Sequence, residues 1–335
     1  NFGTLQIGNG GTTGSISGNI VTNTSPGIAF NRSDTYTFGG IISGSGRVQQ
    51  IGTGTLILTG TNTFASFLQL NKGTLQGSDS TAYSGNATVT SVFGASTVVM
   101  TMLNGTTLQL RANGQNDSSA QTLTFKNGTQ ESSAGTFAID VDRQGGSGTN
   151  KTLAIGNTSI AVNSTINVTG GDGYSLAMGT IAMGGGATPG SLTLAPSTAS
   201  VSVTGFGGGS NSAGPSVVFA GTIAGNFVTS VIADNTTGST SVQKINTSAW
   251  TFQGTSTYSC GTSVAGGTMI SASYNGYSFL DGNPTLSRTI YYDGNNTMVI
   301  VDFAQSSEAL SYETGFTLEN QNTSRNLADG TIYTN

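Results

Sequence analysis

The residues of this chain best placed to do chemistry are two aspartates, Asp140 and Asp142, in Ile139-Asp140-Val141-Asp142-Arg143. Residues i and i+2 of a strand project from the same face, so both carboxylates could line one groove beside Arg143. Paired carboxylates are the machinery of glycoside cleavage, and the same oxygens form a weak candidate for Ca²⁺ ligation. The competing reading is a solvated strand face next to the Gly145-Gly146-Ser147-Gly148 loop, because no third ligand is evident nearby. Asp172, in Gly170-Gly171-Asp172-Gly173, reads as a turn residue.

Other routes to catalysis lack their reactive groups. The chain has no histidine, so Ser-His-Asp and Cys-His arrangements cannot form in their usual way. The one cysteine, Cys260, excludes an internal disulfide and reads as a small, partly buried hydrophobe. Gly184-Gly185-Gly186 and Gly207-Gly208-Gly209 lack the Lys-Ser/Thr and the helix that a phosphate loop needs. No catalytic residue and no cofactor is expected. Asn-Xaa-Ser/Thr triplets recur, at Asn86, Asn104, Asn163, Asn167 and Asn235 among others, as a chain rich in these residues generates by chance.

The elements that would position these groups are strands. Only 7% of the 335 residues are charged, Gly contributes 51, and Val, Ile and Thr are abundant, which favours pleated, half-buried structure. A short alternation keeps returning: Thr4-Leu5-Gln6-Ile7, Thr55-Leu56-Ile57-Leu58, Thr107-Leu108-Gln109-Leu110, Thr122-Leu123-Thr124-Phe125, Thr152-Leu153-Ala154-Ile155, Ser191-Leu192-Thr193-Leu194 and Ala249-Trp250-Thr251-Phe252. Period two places the apolar pair inward and the hydroxyls toward water. Gly and Asn bracket the runs and supply turns. The exception is Phe303 to Glu313, which reads as about two turns of helix.

A net charge of −5 with ten Lys and Arg argues against nucleic acid as a partner. No apolar run is long enough to span a membrane as a helix. The chain opens directly on a strand-like segment, with no signal peptide, as a mature or processed product would.

Val48 to Gln76 aligns without a gap with Val242 to Ile270, at an offset of 194 residues. Val48, Gln49, Ile51, Thr53, Gly60, Thr61, Thr63, Gly73 and Thr74 recur, and Leu56 and Leu58 correspond to Trp250 and Phe252. Upstream, Phe38 to Gly44 resembles Phe219 to Gly225 at an offset of 181, so the second copy carries 13 more residues between Gly225 and Val242. Insertions between strands are what a repeat stack tolerates. The predicted organisation is a solenoid over 1–272, with degenerate repeats at 38–77 and 219–271, and a capping or subunit-docking segment over 273–335.

Gly39 to Gly46, Gly52 to Phe64 and Lys72 to Leu75 resemble the autotransporter-associated β-strand repeat of bacterial surface proteins. The resemblance is clear over 1–77 and degenerate over 217–272, and it departs from the pattern at Ala65-Ser66-Phe67-Leu68. It implies an all-β, elongated, right-handed parallel β-helix, secretion from a Gram-negative bacterium and an extracellular or cell-surface role, with no catalytic residues. The strands needed for a membrane β-barrel translocator are not expected in the last 60 residues.

Three roles remain open. The first is a self-assembling subunit of a surface fibre, filament, sheath or layer, in which copies meet head to tail. Phe2, Leu5 and Ile7 at one end, and Ile332 and Tyr333 at the other, would then form the assembly edge. The second is a monomeric passenger-type adhesin that binds glycans or surfaces. The third is a β-helical glycan-active enzyme.

Overall fold

The computed structural model describes residues 3–23, 27–89, 91–125, 130–132, 134–184 and 189–271, and the strands Thr285–Tyr292, Met298–Gln305, Arg325–Asn326 and Ile332–Tyr333. Among these residues there are strands and turns but no helix. Six of the seven alternating tetrads of the sequence lie wholly in strands, and in the first the strand begins one residue later, at Leu5. The expected helix at Phe303 is replaced by strand: Phe303, Ala304 and Gln305 end Met298–Gln305, and 306–313 lie outside the described residues. Val299, Val301 and Phe303 continue one period-two pattern, which carries the strand to Gln305.

The chain winds into a parallel β-solenoid of three ladders. The first face begins with Leu5–Ile7, Ile28–Phe30, Val48–Gln50 and Phe67–Leu70, paired in that order. The second face is a ten-stranded sheet running from Thr35–Phe38 through Thr107–Asn113 and Gly135–Asp142 to Thr262–Val264. The third face starts with Ile20–Thr22 and Ile42–Gly44. In the later coils it includes Gln121–Phe125, Lys151–Ile155 and Ala249–Phe252. One coil takes 20 residues between Thr35 and Thr55, 33 between Thr74 and Thr107, and 25 between Ser216 and Ser241. The strands keep their register while the turns absorb the difference.

Side chains stack in columns because equivalent positions are paired directly. Leu56, Leu75, Leu108, Ile139 and Val168 form one interior column, with each member 2% exposed or less. Burying each such side chain contributes about 1.5–3 kcal/mol. Outside run hydroxyl columns such as Thr35-Thr55-Thr74-Thr107 and Thr136-Thr165-Thr193, with rungs spaced about 4.8 Å apart. The interior changes character toward the second repeat copy, where Phe219 packs against Trp250 and Phe252 with ring centroids 4.5 and 5.0 Å away.

The internal repeat has an unexpected phase. Phe38 and Phe219 both lie on the second face. Val48 lies on the first face, whereas its counterpart Val242 lies on the second. Likewise Leu56 lies on the second face and Trp250 on the third. The 13 extra residues account for this shift. They include Ile232, which bridges Phe206 and supplies a first-face rung, so the following copy starts one face further round the coil.

One position of the repeat keeps its task with a different residue. Gln50, at the end of its strand, donates from Nε2 to the carbonyls of Gly52 and Gly54, both at 3.0 Å. Lys244 takes the same place 194 residues on, and its Nζ donates to the carbonyls of Ile245, Asn246 and Gly266 at 2.5, 3.0 and 3.1 Å. Both side chains are buried. Each supplies donors to turn carbonyls that the coil encloses, as buried backbone oxygens require.

The compact unit that holds the solenoid comprises residues 1–273 and 288–301; a second comprises 274–287 and 302–335. At the end of the third face, Thr268–Ser271 pairs antiparallel with the strand that follows, Met269 opposite Ile290. In the second unit, Arg325 pairs with Tyr333 and Asn326 with Ile332.

Candidate functional site

Charge is scarce in this chain, and much of it converges on one corner. The second-face strands Thr74–Ala82, Thr107–Asn113, Gly135–Asp142 and Ser164–Gly170 end there, and turns lead from them to the third face. These turns hold one another in place. Asn113 Oδ1 accepts the Gly145 N–H at 2.8 Å, and Asn116 Oδ1 accepts that of Ser147 at 3.3 Å. The N–H of Asn150 reaches the Asp172 carbonyl at 3.1 Å. Across four coils, Asp79, Arg111, Asp117, Asp140, Asp142, Arg143, Lys151 and Asp172 meet at this corner.

Asp140 and Asp142 do share the outward face of one strand, with Ile139 and Val141 buried beneath them. Their surroundings differ. Arg111, from the preceding coil, forms an ion pair with Asp140 and donates to its carbonyl at 3.0 Å. Thr169, from the following coil, donates its hydroxyl to the other carboxylate oxygen at 2.6 Å. Asp140 is thus committed on both sides. Asp142 lies opposite Arg111 in the ladder, yet that guanidinium turns to Asp140. Asp142 accepts the backbone N–H of Arg143 at 2.8 Å. Burial holds its carboxyl above the usual aspartate range, and neighbouring Asp172 adds to the effect.

Four of the remaining charges form two ion pairs, and Asp79 accepts from the Thr81 N–H and the Tyr83 hydroxyl. Arg143 Nε lies 2.7 Å from Asp172, which occupies a left-handed turn with φ 51°. Lys151 is wholly buried, and its Nζ lies 3.0 Å from Asp117 and 2.7 Å from the Ser119 carbonyl. The hydroxyl of Ser119, then Lys151, hold the Asp117 carboxyl below its usual range. Tyr174 is buried under the corner, its hydroxyl donating to the Ala112 carbonyl at 3.3 Å, and burial pushes its phenol up. Among the described residues, no group of three or more His, Cys, Asp or Glu could hold a metal ion. The arrangement offers a rigid ledge of hydrogen-bonding groups, with Arg143 and Asp172 each one-third exposed.

The asparagines explain much of the composition. Oδ1 of Asn86 accepts the Thr122 N–H, that of Asn104 the Thr136 N–H, and that of Asn157 the Thr180 N–H, at 2.8, 2.8 and 3.0 Å. Each bond joins one coil to the next. Asn150, Asn163 and Asn246 occupy left-handed turns, and Asn235 is buried. Sequence triplets that resemble glycosylation signals are in these cases structural connectors.

Of the residues expected at an assembly edge, Phe2 lies outside the described residues. Leu5 shares an interior column with Ile28, Val48 and Leu68 but is 45% exposed, whereas Ile7 is buried. Ile332 and Tyr333 form the short ladder with Arg325 and Asn326 described above. Cys260 is exposed and unpaired, not partly buried as its residue type implied. It sits in a turn whose backbone is fixed by the Thr240 carbonyl, and no interior column passes through it. Gly207 and Gly208 adopt positive φ in a turn, and Gly209 passes so close to Met183 that a Cβ would lie 2.1 Å from its carbonyl oxygen. These glycines serve coil packing.

Arg111, Asp117, Lys151 and the pairing role of Asp172 were not evident from local sequence. The signal is separation: Arg111 to Asp140 and Asp140 to Thr169 each span 29 residues, one local coil.

Over 46 residues, 14% of its length, the chain is 61% identical to the adhesin BmaC autotransporter of Brucella suis biovar 1 (strain 1330). The matched stretch covers 1% of that much longer protein. No family model and no solved structure matches the chain. Among the described residues no helix is long and apolar enough to cross a membrane. The parallel coils and the matched stretch together relate this chain to autotransporter proteins.

Proposed function

We propose that the chain is a stacked-coil segment of an autotransporter passenger displayed on the surface of a Gram-negative bacterium, with an adhesive role. The observation that carries this reading is the 46-residue stretch shared with an autotransporter adhesin; the parallel solenoid is consistent with it. Adhesion needs a stable surface more than a reactive group. The Thr columns and the ledge at the Asp140 corner supply such a surface, with hydroxyls, amides and paired charges that suit hydroxyl-rich glycans.

The role is non-enzymatic in this reading. Asp140, the best candidate acid or base, is tied to Arg111 and Thr169. Assembly into a fibre has no comparable support, so the adhesin is preferred to the head-to-tail subunit. Binding of the purified chain to immobilised host-cell glycans tests the proposal. Saturable binding without release of reducing sugar is expected; sugar release abolished by Asp140→Asn would overturn the non-enzymatic part, and absence of any binding would overturn the adhesive part.

A further inference from the structure

Phe67 opens a first-face strand and is 44% exposed, whereas Leu68, which follows it, is buried. Among the described residues it is the one aromatic ring that stands out from the coils in this way. Val48 pairs with Leu68 and Gln49 with Gln69. Arg47 is therefore the neighbour of Phe67 on the outer side of the sheet, one rung or about 4.8 Å along the ladder. Gly27 holds the same position one coil earlier, its backbone close against that of Arg47, and offers no side chain.

Arg47 lacks a counter-charge. Arg32, Arg111 and Arg143 each hold an aspartate, but among the described residues Arg47 enters no ion pair. It is half-buried, and its Nε is shielded from water without a hydrogen-bond partner, a condition that costs the folded chain free energy. Two residues along the same strands, Gln49 Nε2 donates to Gln69 Oε1 at 2.8 Å. That bond leaves Gln49 Oε1 as an acceptor and the Gln69 amide as a donor, side by side on the outer face.

The internal repeat separates this set from the needs of the coil. At the offset of 194, Arg47 corresponds to Ser241, Phe67 to Gly261 and Gln69 to Ser263. The pairing is retained there, Val242 with Thr262 and Gln243 with Ser263. The same rung thus forms with serine and glycine, so packing of the coil does not account for a cation and an exposed ring in the first copy.

We propose that Arg47, Phe67, Gln49 and Gln69 form a binding subsite for a carboxylate-bearing sugar, a uronic or sialic acid residue. The guanidinium takes the carboxylate. The ring of Phe67 packs on the C–H face of the sugar, whose partial positive charge suits the negative face of the ring. The paired amides meet hydroxyls that both donate and accept. Charge selects an acidic sugar over a neutral one, and the ring selects a sugar over a small anion. The subsite lies on the first face, apart from the corner at Asp140, and it gives the adhesive reading, on which it rests, a ligand class.

Calorimetric titration of the full chain with sialyllactose and with a glucuronate-containing tetrasaccharide tests the subsite, each beside its uncharged counterpart, lactose or the carboxyl-reduced tetrasaccharide. At least one acidic sugar should bind saturably, more tightly than its counterpart, and more weakly as salt rises. Arg47→Ser, the residue of the second copy, should weaken that binding about tenfold or more and remove its salt dependence. Phe67→Ala should weaken it roughly fivefold, and both variants should unfold in urea close to the wild type. Neutral sugars bound as tightly as acidic ones would overturn the proposal in the wild type alone, whatever the variants do. Acidic-sugar binding unchanged in Arg47→Ser would overturn the subsite and leave the adhesive reading standing. Absence of binding to any glycan would overturn both.

Discussion

Replacement of Lys244 by glutamine transplants the solution used at Gln50 into the second repeat copy. Lys244 is fully buried, with no carboxylate partner among the described residues, and burial pushes its pKa down to about 8 from 10.5. At about 1.36 kcal/mol per unit, holding the ammonium charged in the folded state costs about 3 kcal/mol at most. The three carbonyls it reaches favour the ammonium and offset part of that cost. Glutamine carries no charge and can satisfy two of the three, as Gln50 does. The lost bond costs about 1 kcal/mol, so Lys244→Gln should gain up to about 2 kcal/mol at pH 7. The sign with pH is fixed. A lysine whose folded pKa is lowered imposes its full cost below that pKa, and the cost fades as pH rises toward 10.5. The advantage of the variant should therefore shrink between pH 8 and pH 10. Trp250, the single tryptophan, is buried in the same coil, so its fluorescence during urea unfolding reports on this region. Comparing the two proteins at each pH cancels the other titrating groups. A Lys244→Gln variant less stable than wild type at pH 7, with a pH-independent difference, would refute the reasoning. Lys244→Met should be the less stable variant, since it leaves all three carbonyls without a donor.

Other outcomes follow from the stacked columns and the turns. Leu108→Ala opens a cavity in the second-face column and should cost about 2–5 kcal/mol in denaturant unfolding. Asn104→Ala removes the acceptor for the Thr136 N–H and should cost about 1 kcal/mol; Asn104→Asp, which keeps the acceptor, should cost less. Cys260 should react with a thiol reagent in the native protein at the rate of an exposed cysteine, and protection until unfolding would contradict its position. A double-mutant cycle on Arg111 and Asp140 should give a coupling on the order of 1 kcal/mol that weakens in salt.

The strands were legible because their code is local. Alternation of two apolar residues with hydroxyls marks Thr107-Leu108-Gln109-Leu110 as strand wherever it sits. Gly and Asn in turns follow from backbone conformation alone. What could not be read locally was the face each strand joins, because that depends on the length of every preceding turn. The copy at Val242 illustrates this: its strands form as in the first copy, yet the rung at Ile232 moves them one face round. The candidate site was half legible for the same reason. Period two brings Asp140 and Asp142 to one face, but their partners are a coil away, at separations that vary along the chain. Cys260 misled because free cysteines are usually buried, and its turn lies outside every interior column.

The adhesive role is tested most directly by displaying the chain on a non-adherent bacterium, through a heterologous translocator, and counting cells retained on a host-cell layer. The account predicts more retained cells than with the translocator alone, in proportion to the amount of chain at the surface. Equal retention, with the chain shown by surface labelling of Cys260 to be present, would contradict it.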